Sequence, residues 1–131
     1  MTDPALPLAV SMGDPAGIGL ELIVRCYGER SAAPIPAFAL VADGDAVGRA
    51  LRRAGLPSKI AVGPTPADAA DCFDTTLPVV EMPLAVPETP GTPDSANAAA
   101  ITGAIAAGVS HCLAGTAAGL VTLPIAKAAL Y

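Results

Sequence analysis

The chain has 131 residues, 53% of them hydrophobic, with no Trp and a formal charge of -5, which suits one domain with a real core rather than two. Seven Lys and Arg stand against twelve Asp and Glu, with no basic run; a partner that needs its phosphates neutralised, duplex or single-stranded nucleic acid, is therefore not expected. Cys26, Cys72 and Cys112 are odd in number, widely spaced and without a C-x-x-C pair, so neither a disulfide framework nor a zinc site is indicated and a reducing cytoplasm is expected.

The N-terminal MTDPALPLAVSMGD has no basic segment and only a short apolar run, unlike a signal peptide. Leu6 to Met12 reads as a buried strand, Ile18 to Tyr27 as a helix and Ala37 to Ala42 as a second strand. Asp45 to Ala54 predicts a helix with Arg49, Arg52 and Arg53 towards solvent, closed by Gly55 and Pro57. Lys59 to Val62 predicts a short strand and Leu77 to Met82 another. Residues 83–93, PLAVPETPGTP, read as a loop, because Pro cannot donate to a ladder and biases its predecessor away from helix. Asp94 or Ser95 can then cap a long helix ending near Gly115, followed by a strand over Gly119 to Leu123.

No charged residue lies between Asp94 and Lys127, a length sufficient for a membrane span. The stretch is rich in Ala, Gly, Ser and Thr and is interrupted by His111 and Pro124. Its larger apolar residues, Ile101, Ile105, Val109 and Cys112 or Leu113, recur on one helical face, which predicts a helix packed on a core and no membrane. Apolar runs alternating with helices imply an α/β fold with a mainly parallel sheet flanked by helices.

In such sheets ligands sit at the carboxyl ends of strands, where helix N-termini point into the crevice. The segment SMGDPAGIGLELIV, residues 11–24, has the form of that junction. Pro15 suits a first helical position and Asp14 can cap by accepting a backbone N–H. Gly17 and Gly19 remove side chains so that a ligand or another backbone can come close. The spacing is neither G-x-G-x-x-G nor a Walker loop, and the residues fit a tight capped turn as well as a ligand site. GLVTLPIAKAALY, residues 119–131, repeats the pattern. Lys127 would lie in the first turn of a following helix, where the dipole opposes a cation by about 0.3–1 kcal/mol; an anion would offset this, unless Lys127 is simply exposed.

Together the two segments carry a resemblance. GDPAGIGLEL after an apolar strand is similar to the opening signature of the 4-hydroxythreonine-4-phosphate dehydrogenase family of pyridoxal phosphate biosynthesis. PGTPDSANAAAITGAIAAGVSHCLAGTAAGLVTLPIAKAAL resembles that family's long helix, following strand and Pro-Ile-x-Lys turn. The match runs from Leu6 to Leu130. It implies that residues 1–131 form the N-terminal portion of a two-domain fold like that of the isocitrate and isopropylmalate dehydrogenases. It also implies NAD and a divalent metal (zinc, magnesium or cobalt) as cofactors, a phosphorylated small-molecule substrate and a homodimer. The family's Pro-Gly-His-Thr-Glu motif, metal-binding histidines and cofactor loop would lie beyond Tyr131, so no catalytic or metal-ligating residue is expected within the chain. His111 matches no ligand position and is expected to pack or face solvent.

The implied chemistry is hydride transfer from 4-phosphohydroxy-L-threonine to NAD, giving 2-amino-3-oxo-4-phosphooxybutanoate, and decarboxylation to 3-amino-2-oxopropyl phosphate. Asp14, Gly17, Gly19 and Lys127 are the expected substrate-binding residues. Asp14 would partner a cationic or hydroxyl group, and Lys127 would face phosphate or carboxylate. Leu20, Leu123 and Ala126 depart from the residues usual in the family. They keep open a paralogue acting on a phosphorylated sugar acid such as threonate phosphate; a truncated, non-catalytic remnant is the alternative of a different class.

Overall fold

The computed structural model describes residues 5–126. Its strands are β1 (Leu8–Ser11), β2 (Phe38–Ala42), β3 (Lys59–Val62), β4 (Thr76–Glu81) and β5 (Leu120–Thr122). The main helices are α1 (Gly19–Gly28), α2 (Gly44–Arg53), α3 (Pro66–Ala69) and α4 (Ala98–Leu113). The strands form one sheet in the order β3-β4-β2-β1-β5, with every pairing parallel. The fold is thus α/β with a five-stranded parallel sheet among the described residues.

β2 is buried along its whole length, as a central parallel strand must be when helices cover both faces. The chain steps from β1 to β2 to β3 in one direction and from β3 to β4 to β5 in the other. Right-handed crossovers then put α1 and α2 on one face and α3 and α4 on the other, and α1 packs against α2. Because all strands are parallel, Ser11, Ala42, Glu81 and Thr122 end on a single edge of the sheet.

Two helix ends follow from their glycines. Gly55 (φ +70°) closes α2: its N–H donates to the Arg52 carbonyl while that of Leu56 reaches the Leu51 carbonyl. Gly115 (φ +78°) closes α4 the same way, through the carbonyls of Cys112 and His111, the paired bonds of a Schellman ending. Asp94 Oδ1 accepts the Ala96 N–H at 2.9 Å and so caps a 3-10 turn, Ser95–Asn97, that leads into α4, whose own N-cap Asn97 makes no side-chain bond there.

Three expectations are corrected. The helix over Pro66–Ala69, continued by a 3-10 turn at Ala70–Cys72, was not anticipated; Thr65 caps it, its Oγ1 accepting the Asp68 N–H, with Pro66 at the first turn. The face of α4 that packs on the sheet is Ala100, Ile101, Ala104 and Gly108, whereas Val109 and Leu113 are exposed. A Cβ on Gly108 would lie 2.6 Å from Leu120 Cδ1, so close approach to β5 selects small residues in the second half of the helix and leaves Val109 and Leu113 outward, while Ile101 is buried as expected. Arg49, finally, folds over a buried carboxylate instead of standing free: its guanidinium pairs with Glu88. The helical segment Ser95–Leu113 is long and apolar enough to cross a membrane, and here its small-residue face lies on β1, β2 and β5.

Candidate functional site at the carboxyl edge

β1 delivers Gly13 and Asp14 to the carboxyl edge, and β5, its parallel neighbour, delivers Leu123 and Pro124 beside them. The Asp14 N–H donates to the Pro124 carbonyl at 2.9 Å, and that of Leu123 to the Ser11 carbonyl at 3.1 Å. Gly13 has φ +64°, and a Cβ there would lie 2.5 Å from the Pro124 oxygen and 2.6 Å from that of Leu123. Glycine is required at position 13 on both counts, conformation and space.

Asp14 does not cap α1, and Pro15 is not its first residue. The Asp14 Oδ1 accepts the Ala16 N–H at 2.9 Å, while the Asp14 carbonyl accepts the Gly17 N–H at 3.0 Å. These bonds close a turn over residues 14–17, an Asx arrangement with Pro at the second position. The helix starts only at Gly19, with Ile18 at its N-cap and no side chain bonded there. The acid that looked like a helix cap therefore organises the preceding turn.

The glycines divide by what they face. A Cβ on Gly19 would meet Leu123 Cβ at 2.9 Å and Pro124 Cδ at 3.3 Å, so this glycine makes room for the turn after β5. Gly17 is exposed, and a Cβ on it would meet nothing nearer than the Asp14 carbonyl oxygen at 3.4 Å. Packing accounts for Gly13 and Gly19 but not for Gly17. Lys127 lies outside the described residues.

Asp14 is only 3% exposed and Ser11 is fully buried. Among the described residues, Ser11 Oγ and Asp14 Oδ2 have no hydrogen-bond partner. A buried oxygen left unpaired costs about 1–3 kcal/mol; the Asp14 carboxylate oxygen can accept from a donor, and the Ser11 hydroxyl can donate or accept.

The helix N-termini on this edge are not equivalent. That of α2 is filled from within: the Gly44 N–H lies 2.9 Å from both oxygens of Glu81, and Asp43 Oδ1 accepts the Ala46 N–H at 3.0 Å. At α1 the N-cap Ile18 is 63% exposed, and its N-terminal N–H groups carry the partial positive charge that favours anions. Glu81 and Asp43 were not anticipated; an Asp immediately before a helix was the available signal for the latter.

Elsewhere, a concavity of about 530 Å³ between α2 and β3 is lined by Gly48, Arg52, Ser58 and Lys59 among others and shares no residue with the 13–19 turn. Among the described residues no three His, Cys, Asp or Glu side chains converge as a metal group would need. The His111 Nδ1 lies 3.2 Å from the Thr116 hydroxyl at the end of α4.

No family model matches the chain. Comparison with curated proteins finds a 4-hydroxythreonine-4-phosphate dehydrogenase of Methylorubrum extorquens that is 42% identical over 123 residues, covering 92% of this chain and 35% of that protein. The chain is similar to curated proteins of that name over nearly all of its own length. It spans about a third of the length of the curated relatives it matches. Among solved structures, the 4-hydroxythreonine-4-phosphate dehydrogenase of Klebsiella pneumoniae superposes with a TM-score of 0.81 at 28% identity, over 96% of this chain and 39% of that one. The Burkholderia phymatum enzyme of the same name gives a TM-score of 0.85 over 98% of this chain and 39% of that one; at 23% identity it speaks to the fold.

Proposed function

We propose that this chain supplies the N-terminal α/β portion of a cytoplasmic, NAD-dependent 4-hydroxythreonine-4-phosphate dehydrogenase. The carrying observation is the identity of about 40% to proteins of that name along nearly the whole chain. In this reading the enzyme oxidises the secondary alcohol of 4-phosphohydroxy-L-threonine, and the resulting β-keto acid loses carbon dioxide. When bound, NAD would supply the hydride acceptor and a divalent metal the Lewis acid for this chemistry. The described residues do not fit a metal centre, so no step at the metal is assigned to them.

The role proposed for this chain is substrate binding at the 13–19 turn. The open N-terminus of α1 attracts the anionic end of the substrate, and Gly17 lets it approach the backbone. The unpaired, buried Asp14 Oδ2 is suited to a hydroxyl or ammonium donor, and Lys127 to phosphate. Gly13 and Gly19 hold the β1 and β5 turns together rather than touch the substrate. α4 is read as a core helix with no membrane partner, and the full enzyme as a homodimer.

The test is a steady-state assay of the product of the complete reading frame, with NAD, divalent metal and either 4-phosphohydroxy-L-threonine or threonate phosphate. The reading expects NADH formation with the first substrate, and preference for the second would transfer the protein to a paralogous activity. The 131-residue chain by itself is expected to form no NADH.

A further inference from the structure

The proline-rich loop of residues 83–93 is fastened along its length. Asp43 Oδ2 accepts the Leu84 N–H at 2.8 Å, and the Asn97 side chain bonds both the N–H and the carbonyl of Val86 at 3.1 Å. Further on, the Glu88 carboxylate accepts from Arg49 Nε at 2.9 Å, with Arg53 Nη1 at 3.6 Å. The Glu88 side chain is 1% exposed. A carboxylate that deep is tolerated only when paired and hydrogen-bonded.

Directly after Glu88 comes a tight turn. The Thr92 N–H donates to the Thr89 carbonyl at 2.9 Å, and Gly91 sits at φ +81° after Pro90, the arrangement of a type II turn. At its tip the Gly91 N–H donates to the Ala16 carbonyl at 2.8 Å. Ala16 is the third residue of the turn closed by Asp14 and Gly17. A buried ion pair and the candidate substrate turn are therefore joined through three residues of a rigid bend.

We infer that Glu88 is a positioning residue, whose ion pair with Arg49 holds the Thr89–Thr92 turn on Ala16 and thereby fixes the Asp14–Gly17 turn. This deepens the reading of the carboxyl edge as a substrate site, but the positioning itself is a property of the fold. Asp43 and Asn97 fasten the earlier part of the loop and leave its tip to Glu88.

The experiment is amide hydrogen exchange on the intact protein and its Glu88→Gln variant. Exchange at Gly91 and at Gly17 rises together by about tenfold or more, while β2 amides keep wild-type protection. Release of Gly91 with unchanged Gly17 overturns the inference, as does no change at either. Should Glu88→Gln fail to fold, Arg49→Lys keeps the charge and loses the planar fork; the same paired loosening is expected, and an unchanged Gly17 beside a released Gly91 again overturns it. In the active enzyme the variant raises KM for the phosphorylated substrate with kcat little changed. Paired loosening with wild-type KM supports the positioning role and removes the substrate reading of the edge.

Discussion

Asp14 and Pro124 are joined by a backbone hydrogen bond of 2.9 Å that ties the turn after β1 to the turn after β5. Residues 110 positions apart thus share one corner of the sheet, and Gly13 is what lets them meet. Gly13→Ala should force a left-handed conformation on a residue with a Cβ and push that Cβ into the Pro124 carbonyl. Denaturant unfolding should show a loss of about 2 kcal/mol or more; a loss under 0.5 kcal/mol would mean the corner relaxes freely.

Gly17 is the contrasting position, exposed and with no crowded neighbour. In the full-length enzyme, Gly17→Val is expected to leave the melting temperature within a few degrees. It should lower kcat/KM by about tenfold for each 1.36 kcal/mol of binding lost. Wild-type kinetics in a folded Gly17→Val enzyme would make the turn structural only.

The Arg49 hydrogen bond holds the Glu88 carboxyl below the usual glutamate range, against the upward push of burial. A carboxyl lowered on folding adds stability that is complete above its unfolded value, about 4.3, and is lost as pH falls through the lower folded value. Glu88→Gln should therefore cost about 1–2 kcal/mol at neutral pH, and the gap to wild type should close on acidification below about pH 4. A gap independent of pH would assign the cost to packing.

Val109 and Leu113, one turn apart on α4, leave an exposed apolar strip along that helix. The 131-residue chain is expected to self-associate through it, and Leu113→Glu with Val109→Lys should shift sedimentation towards monomer. A wild-type chain that is monomeric at high concentration, with a sharp cooperative melt, would show that the strip is no association surface.

Local chemistry made the elements legible: apolar runs bounded by Gly and Pro marked the strands to within two residues at each end. Strand order was not, because the insertion of β4 between β3 and β2 depends on crossovers that no short window contains. The T-P-A-D sequence of residues 65–68 carries a capping signal for the short helix that follows, Thr65 accepting the Asp68 N–H. Spacing on α4 pointed to the larger residues and held for the buried Ile101, but towards Gly108 the short distance to β5 chose small residues and left Val109 and Leu113 outside. Glu88 was invisible as a buried group, since a charge among prolines reads as solvent-facing until Arg49, 39 residues away, is brought over it. At the site, Asp14 drew attention as a helix cap and proved to close a turn.

The most direct measurement replaces the matching segment of the Methylorubrum extorquens enzyme with residues 5–126 of this chain and follows NADH formation from 4-phosphohydroxy-L-threonine. The account predicts a folded chimera with metal-dependent turnover within about a hundredfold of the parent, since one imperfect contact costs some 1–3 kcal/mol, and loss of that turnover on Gly17→Val. A folded chimera without turnover, or one whose turnover ignores Gly17→Val, would contradict it.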